Sequence, residues 1–188
     1  MSDRRQKTRP RLNREQWLAR ALEILAREGE AKIRVDTLVR KIGVTKGSFY
    51  WHFKDRDDFL QQLVTHWATS STQPVIDHIN SVTGSAEKRL LALMEFILQF
   101  DSAMYDIAIR ALTQHEPQLR PIVEKLDRQR FNYVRNIFAD IGFTGVELDM
   151  RTKVFTVYHS LEHGQYVHAS RAERKRMLKK RHAFFTRK

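Results

Sequence analysis

The sequence predicts an all-α protein, with an N-terminal three-helix helix-turn-helix head followed by a larger helical domain, about nine helices in total. Apolar residues recur at helical spacing along most of the chain, and no segment alternates apolar and polar residues as a half-buried strand would. The 188 residues suffice for one or two small domains with a hydrophobic core. We assign the head, with a basic N-terminal arm, to residues 1–60 and the body to residues 61–188.

The three helices of the head are delimited by residues that favour helix ends. They are predicted at residues 13–28, 35–42 and 46–53. Asn13 can cap the first helix together with Gln16, and Gly29 ends it. Gly43 breaks the second helix, and Thr45 can cap the third. Such a short connection is typical of a helix-turn-helix, in which a glycine permits the tight turn between the two helices.

The body is predicted to contain six further helices, at residues 56–80, 87–101, 103–113, 117–141, 146–169 and 171–187. Asp55 can cap the first of them, and Pro74 interrupts or kinks it. Pro117 is well placed to begin the fourth, although Pro121 favours a later start. The apolar stripes of these helices are typical of a packed core.

Positive charge is concentrated at the two ends of the chain. The 34 Lys and Arg exceed the 22 Asp and Glu, which gives a formal net charge of +12. Residues 1–60 carry 15 basic and 9 acidic side chains and residues 171–188 carry 9 and 1, whereas residues 61–170 carry 10 and 12. The excess favours a polyanionic partner, with nucleic acid ahead of an anionic membrane surface.

What the sequence lacks excludes several classes of protein. The absence of cysteine excludes a disulfide framework, cysteine-ligated zinc and a cysteine nucleophile. No run of 18 apolar residues could span a membrane, and the N-terminus lacks the apolar core of a signal peptide. No glycine-rich phosphate loop, carboxylate pair or Ser/His/Asp arrangement stands out. We therefore expect a cytoplasmic protein that is not an enzyme and carries no cofactor.

The third predicted helix places its side chains on distinct faces. At about 100° per residue, Phe49 and Phe53 point together into the core of the head. The opposite face carries Gly47, Ser48 and Trp51, flanked by Lys46, Tyr50 and His52. This distribution suits a helix in a DNA major groove, with the central residues at the base edges and the flanking ones at the phosphates. The alternative is an aromatic-rich helical hairpin in which Tyr50 and Trp51 are packing residues.

Residues 38–60, LVRKIGVTKGSFYWHFKDRDDFL, resemble the DNA-binding signature of the TetR/AcrR family of bacterial repressors, I-A-x-x-A-G-V-S-K-G-T-L-Y-x-H-F-x-x-K-E-x-L. Identical residues fall at Gly43, Val44, Lys46, Gly47, Tyr50, His52 and Phe53, with conservative replacements at Thr45, Ser48 and Phe49. The resemblance covers about residues 13–60. It implies a homodimeric transcriptional repressor that binds a palindromic operator in double-stranded DNA, lies on the nucleoid when bound, and senses a small molecule through its C-terminal domain.

Carried over residue by residue, the resemblance implies DNA contacts at Thr37, Thr45, Lys46, Gly47, Ser48, Tyr50, Trp51, His52, Lys54 and Arg56. Thr37, Lys54 and Arg56 would hold the phosphate backbone. The sequence departs from the family pattern at Val39, Lys41 and Ile42, which are bulkier than usual, and at Arg34, where a Ser or Thr cap is common. Arg56 replaces the common Lys and preserves the positive charge.

The ligand is not indicated by the resemblance, because the C-terminal domains of the family diverge. We expect a pocket between the fifth, seventh and eighth predicted helices, lined by Phe96, Phe100, Met104, Arg130, Tyr133, Tyr158 and His159. Buried polar groups among these need partners, which are either each other, with Asp127 beside Arg130, or a ligand. His159 and His163 are four residues apart, but they lack the His-Glu-x-x-His pattern and a third ligand, so no metal is predicted.

The last two predicted helices are assigned to self-association through residues 146–187. The apolar stripe of the first comprises Val154, Val157, Tyr158 and Leu161, and the family pairs the corresponding helices. The second carries Met177, Leu178, Phe184 and Phe185 among nine cations. Its apolar edge packs on the body or a partner subunit, or it lies on an anionic membrane without stable insertion. The rival to a repressor is a basic DNA-binding protein of low sequence specificity, or one with such a membrane-surface helix.

Overall fold

The computed structural model describes residues 12–100, 103–165 and 170–187, leaving aside the side chains of residues 100, 161–165 and 171. These residues form ten α-helices: α1 (Arg14–Glu28), α2 (Val35–Ile42), α3 (Lys46–His52), α4 (Arg56–Ser70), α5 (Gln73–Asn80), α6 (Ala86–Phe100), α7 (Ala103–His115), α8 (Arg120–Ile141), α9 (Gly145–Gln165) and α10 (Arg171–Thr186). Short 3-10 turns at Glu30–Lys32 and Pro117–Leu119 precede α2 and α8. The described ranges contain no strand, and the all-α prediction is confirmed.

The helix ends of the head follow the predicted local chemistry. Asn13 and Gln16 form a reciprocal capping box at the start of α1. Gly43 ends α2 in the left-handed conformation with φ of 81°, which a residue with a Cβ rarely adopts. The Thr45 side chain accepts from the Ser48 backbone N–H and caps α3. The turn between α2 and α3 is therefore built by its own residues.

The long helix expected over residues 56–80 is two helices, α4 and α5. Pro74 is the second residue of α5, where a missing N–H costs nothing, whereas inside a continuous helix it would leave a carbonyl without a donor. This break accounts for ten helices where about nine were expected. In the same way Pro121 lies in the first turn of α8, which starts at Arg120 and not at residue 117.

The first hydrophobic cluster joins the head to the body. Its head members include Trp17, Leu38, Phe49 and Phe53, and it continues through the α4 residues Leu63, Val64 and Trp67 to Ile109, Leu112, Val123 and Leu126 of α7 and α8. The expected boundary at residue 60 thus falls inside α4, within a continuous core. The head and the body therefore share helix α4 and one hydrophobic cluster.

The second hydrophobic cluster lies at the far end of the body and includes the last helix. Phe138, Phe155 and Phe185 meet edge-on or tilted, with ring centroids 5.1 to 6.2 Å apart. Leu178 and Phe185 of α10 are buried in this cluster, whereas Met177 and Phe184 stay exposed. Two of the four large apolar residues of α10 are therefore packed against the body, which favours packing over a membrane-surface role. None of the described helices has the length and apolarity needed to span a membrane.

Candidate functional site

The outward face of α3 carries two large exposed aromatic side chains. Trp51 is 78% exposed and Tyr50 is 59% exposed, whereas Phe49 and Phe53 are buried, as the helical spacing predicted. An exposed tryptophan on a helix that does not need it for packing is unusual, because burying its large apolar surface is strongly favourable. Trp51 is therefore accessible for contact with another molecule.

A cluster of aromatic rings supports α3 from below. Phe49 lies 5.7 Å from Trp17, 5.2 Å from Phe53 and 5.4 Å from Phe59, measured between ring centroids. The Trp17 indole N–H donates to the Ser48 hydroxyl oxygen at 3.1 Å. This bond was not expected, since Ser48 was placed on the outward face. Ser48 is half-buried, and it keeps its own hydroxyl proton for a second partner.

His52 lies at the edge of the head, where it contacts the segment before α1. Its Nε2 is 2.8 Å from the carbonyl oxygen of Leu12. Because a carbonyl only accepts, this nitrogen carries the proton and donates. Leu12 is itself buried in the head core, so the bond fixes the segment that follows the N-terminal arm. A phosphate contact through His52 stays a prediction, and it would have to use the other ring nitrogen.

The side chains expected to contact phosphates differ in their surroundings. Lys54 is exposed and Thr37 is half-buried. Lys46 contacts Asp36 on α2 at 2.6 Å, and this hydrogen bond raises the pKa of the lysine. Arg56 contacts Glu116 at 2.6 Å, and that bond lowers the pKa of the Glu116 carboxyl. Glu116 is therefore ionised at neutral pH and holds Arg56 against the end of α7.

Gly47 has no internal reason to be a glycine. A Cβ at this position would meet only the Thr45 hydroxyl oxygen, at an ordinary 3.7 Å, and the backbone here lies outside the left-handed region. A side chain would therefore fit the isolated chain. A small residue is needed here only if the backbone approaches another molecule closely, as it does when a recognition helix enters a groove.

Replacing Trp51 tests whether α3 reads bases. We expect Trp51→Ala to weaken specific DNA binding by about 1–3 kcal/mol and to relax one or two operator positions, because apolar contact with base edges is lost. Quantitative binding to a set of single-base operator variants measures both effects. Ile107→Ala, an exposed apolar truncation on α7, is the control and should leave binding unchanged. Unaltered base preference in a folded Trp51 variant would remove this side chain from the site.

Arg56 and Glu116 provide a matched pair of changes for the phosphate contacts. We expect Arg56→Ala to weaken binding to all sequences about equally and to lower the slope of log affinity against log salt by about one unit. Glu116→Gln should act in the opposite direction, because it releases Arg56 from an ion pair that competes with DNA phosphate. Titrations at four salt concentrations measure both slopes. A loss confined to particular base pairs in Arg56→Ala would mean that this side chain reads sequence instead.

A cavity of about 480 Å³ lies in the body between the end of α4 and helices α5 to α9. Four residues expected at the ligand are in its wall: Phe96, Arg130, Tyr133 and His159. Met104 and Tyr158 are not among the described lining residues, and the side chain of Phe100 lies outside the described part of the chain. Tyr158 instead contacts α10, where its hydroxyl oxygen accepts from Arg181 at 2.9 Å.

Arg130 joins three helices at the cavity wall. Its Nε donates to the Thr72 hydroxyl and its Nη2 to the Ser71 hydroxyl, both at 3.0 Å, and its Nη1 donates to Asp106 of α7. The guanidinium carbon also lies 5.4 Å from the centroid of the Trp67 ring. Arg130 thereby ties α8 and α7 to the end of α4.

The expected neighbour of Arg130, Asp127, is used elsewhere. Asp127 accepts two hydrogen bonds from Arg110, at 2.6 and 2.9 Å, so α7 and α8 are joined by two crossed Arg–Asp pairs. The partner of Arg130 is Asp106, which sequence reasoning missed. The sequence did contain a hint: Asp106 lies three residues from both Ala103 and Ile109. This helical spacing places its side chain on the buried side of α7.

Other lining residues were also missed or reassigned. Trp67, Tyr105 and Phe155 line the cavity and were not expected there. Tyr133 was expected, and its hydroxyl donates to Asn80 at 2.9 Å, while burial raises its pKa. These aromatic residues were indistinguishable from ordinary core residues in the sequence.

The histidine pair gives no support for a metal. The Nδ1 of His159 lies 2.8 Å from the carbonyl oxygen of Phe155, and the side chain of His163 lies outside those described. No group of three or more potential ligands capable of holding a metal ion occurs among the described residues.

The N-terminal region matches the family described as bacterial regulatory proteins, tetR family, over residues 18–63. Within 51 residues it is 35% identical to the transcriptional regulator SrpR of Pseudomonas putida, a match that covers 27% of this chain and 24% of that protein. Within 60 residues it is 30% identical to the regulator AcrR of Shigella flexneri, covering 32% and 28%. The match thus spans about a quarter of each relative's length. Residues 18–63 are therefore similar to the N-terminal region of tetR-family regulators.

Solved structures of transcriptional regulators share the fold of about nine-tenths of the chain. A TetR/AcrR family transcriptional regulator superposes with a TM-score of 0.76 at 18% identity, covering 92% of this chain and 97% of that one. NemR of E. coli in its reduced form gives 0.74 at 19% identity, covering 89% and 94%. A regulator from Saccharomonospora viridis, in complex with choline, gives 0.74 at 14% identity, covering 89% and 93%.

Proposed function

We propose that this protein is a TetR-family transcriptional repressor that binds a palindromic operator as a homodimer and is released by a small molecule. The observation that carries the proposal is the exposed face of α3, where Tyr50 and Trp51 stand out from a head whose core is filled without them. With Gly47 next to Lys46, this face has the size and chemistry of a major-groove reader.

The homodimer is supported by an apolar stripe on α9. Val146, Met150, Val154 and Val157 are 45 to 79% exposed and recur at helical spacing, so they form one continuous surface. Such a surface on a monomer marks an interaction site, and a two-fold axis through α9 would bury it against itself. The stripe lies within the expected contact of residues 146–187.

Two heads are also needed for specificity. A recognition helix of about two turns covers too few base pairs for repressor-grade selectivity, and a two-fold dimer places the second head in the next major groove, roughly 34–36 Å away. The body therefore sets the head spacing.

Release by a ligand is supported by the position of the cavity. Its wall includes Arg130 and the Ser71 and Thr72 hydroxyls that follow α4, and α4 continues into the head core through Phe59 and Leu60. A ligand that binds better when Arg130 has moved would shift α4 and hence the head spacing, to the extent of its differential affinity. The regulator from Saccharomonospora viridis, which has a similar fold and is in complex with choline, supports the proposal that the body binds a small molecule.

Selection of binding sites from a random DNA pool by the full chain tests the proposal. We expect enrichment of one palindrome whose two half-sites are one helical turn apart. Enrichment of single half-sites would overturn the dimer, and an unenriched pool would favour the basic DNA-binding protein of low specificity. Genes downstream of the recovered palindrome would then identify the regulated functions.

A further inference from the structure

We propose that the cavity takes an uncharged aromatic molecule bearing a hydroxyl group. The inference rests on the proposed role of this cavity as the ligand site and names the chemistry that fits it. It is supported by the aromatic residues of the cavity wall, by the charge balance of the wall and by two buried polar atoms that lack a hydrogen-bond partner among the described residues.

The wall of the cavity is rich in aromatic rings. Trp67, Phe96, Tyr105, Tyr133 and Phe155 all line it, and its volume of about 480 Å³ is that of a typical small-molecule site. Flat apolar surface of this kind stabilises a flat apolar ligand by burial and by edge-to-face ring contacts. The apolar part of the proposed ligand is therefore an aromatic ring system.

The charges of the wall cancel. Among the described lining residues, Asp106 supplies the one carboxylate and Arg130 the one guanidinium, and the two form an ion pair. A charged ligand would add a buried charge that this pair does not compensate, and such a charge is costly in an apolar site. An uncharged ligand avoids this cost.

An anionic ligand meets a second obstacle at Arg130. All three guanidinium nitrogens already donate, to Thr72, Ser71 and Asp106. A carboxylate could reach only the two remaining Nη–H groups, where it would lie beside the Asp106 carboxylate on the same guanidinium and be repelled by it. The existing contacts of Arg130 thus disfavour anions.

Two buried polar atoms beside Arg130 lack a hydrogen-bond partner among the described residues. They are the Oδ1 of Asp106, which only accepts, and the Nε1–H of Trp67, which only donates. Both side chains are more than nine-tenths buried and both line the cavity. A hydroxyl can donate to the first and accept from the second, whereas a carboxylate only accepts and an ammonium only donates. The polar group of the ligand is therefore a hydroxyl.

Four naphthalene derivatives of matched size test the proposal by calorimetric titration of the full chain at pH 7. The probes are 2-naphthol, naphthalene, 2-naphthoate and 2-naphthylmethylammonium. We expect 2-naphthol to bind about tenfold or more tightly than each of the others, because only it makes the additional hydrogen bonds without adding charge. Equal binding of naphthalene, tighter binding of either ion, or no binding of any probe would overturn the proposal.

Two variants and a control locate the binding. Trp67→Phe keeps the ring and removes only the N–H, and it should reduce the preference for 2-naphthol over naphthalene several-fold. Asp106→Asn leaves Arg130 without its counter-charge and should move the preference toward 2-naphthoate by about tenfold. Asp127→Asn changes the neighbouring Arg110 pair outside the cavity and should alter neither preference. Unchanged preferences in both cavity variants would contradict the assignment.

The titrations contain no DNA, so their outcome is independent of operator binding. Failure of the ligand class with a recovered palindrome leaves the repressor proposal intact. Success of the ligand class without any palindrome would instead overturn the repressor.

Discussion

A chain carrying Val154→Glu and Val157→Glu is expected to be monomeric and to lose about 10²–10⁴-fold in operator affinity. Two carboxylates in the middle of the α9 stripe would face their own symmetry copies, where desolvation and like-charge repulsion oppose association. Once the dimer is lost, the second head no longer binds at the effective concentration that the first one provides. Sedimentation equilibrium and operator titration measure the two effects on the same sample.

The control for this double variant is Ile107→Glu, which places the same charge at an exposed apolar position on α7. It should remain dimeric and bind normally. Because Val154 and Val157 are exposed in the single chain, the double variant should also keep its helix content and unfold at a similar temperature. A folded double variant that stays dimeric would place the subunit contact elsewhere and remove α9 from the account.

Arg130→Ala is expected to destabilise the fold by about 3–5 kcal/mol. The change leaves the Asp106 carboxylate buried without a counter-charge and removes donors to the two hydroxyls that follow α4. Urea unfolding followed by circular dichroism measures the free energy of unfolding. The loss should be accompanied by weaker operator binding, since Arg130 fixes the end of α4.

Arg110→Ala is the matched control on the same two helices. Its partner Asp127 has a side chain 40% exposed, whereas that of Asp106 is 8% exposed, so removal of Arg110 leaves a carboxylate that water can solvate. We expect a cost of about 1 kcal/mol or less. Equal losses in the two variants would mean that burial of Asp106 does not govern the energetics of this pair.

The architecture of the head could be predicted because its determinants are local. A capping box at Asn13, a left-handed glycine at Gly43 and an N-cap at Thr45 act over three or four residues, and the inward direction of Phe49 and Phe53 follows from helical geometry. The sequence leaves open whether Pro74 interrupts or kinks the helix over residues 56–80, because its pattern alone does not distinguish a bent helix from two helices.

The contacts that complete the site could not be predicted, because they join residues far apart in the chain. Arg130 has carboxylates within reach on two helices, and only the relative rotation of α7 and α8 pairs it with Asp106 and not with Asp127. The bond from Trp17 to Ser48 likewise depends on how α1 crosses α3. Patterns on a single helix indicate which side is buried, and the packing of several helices decides which polar groups meet.

Competition between the selected operator and a scrambled duplex of equal length and composition, at one fixed salt concentration near 0.15 M, tests most directly whether this chain is a sequence-specific regulator. Both duplexes offer the same phosphates to the basic head, so the ratio of their affinities isolates the reading of bases by α3. A sequence-specific regulator should prefer the operator by about 10³-fold or more. Equal affinity for the two duplexes would instead identify a basic protein that binds DNA through its phosphates alone.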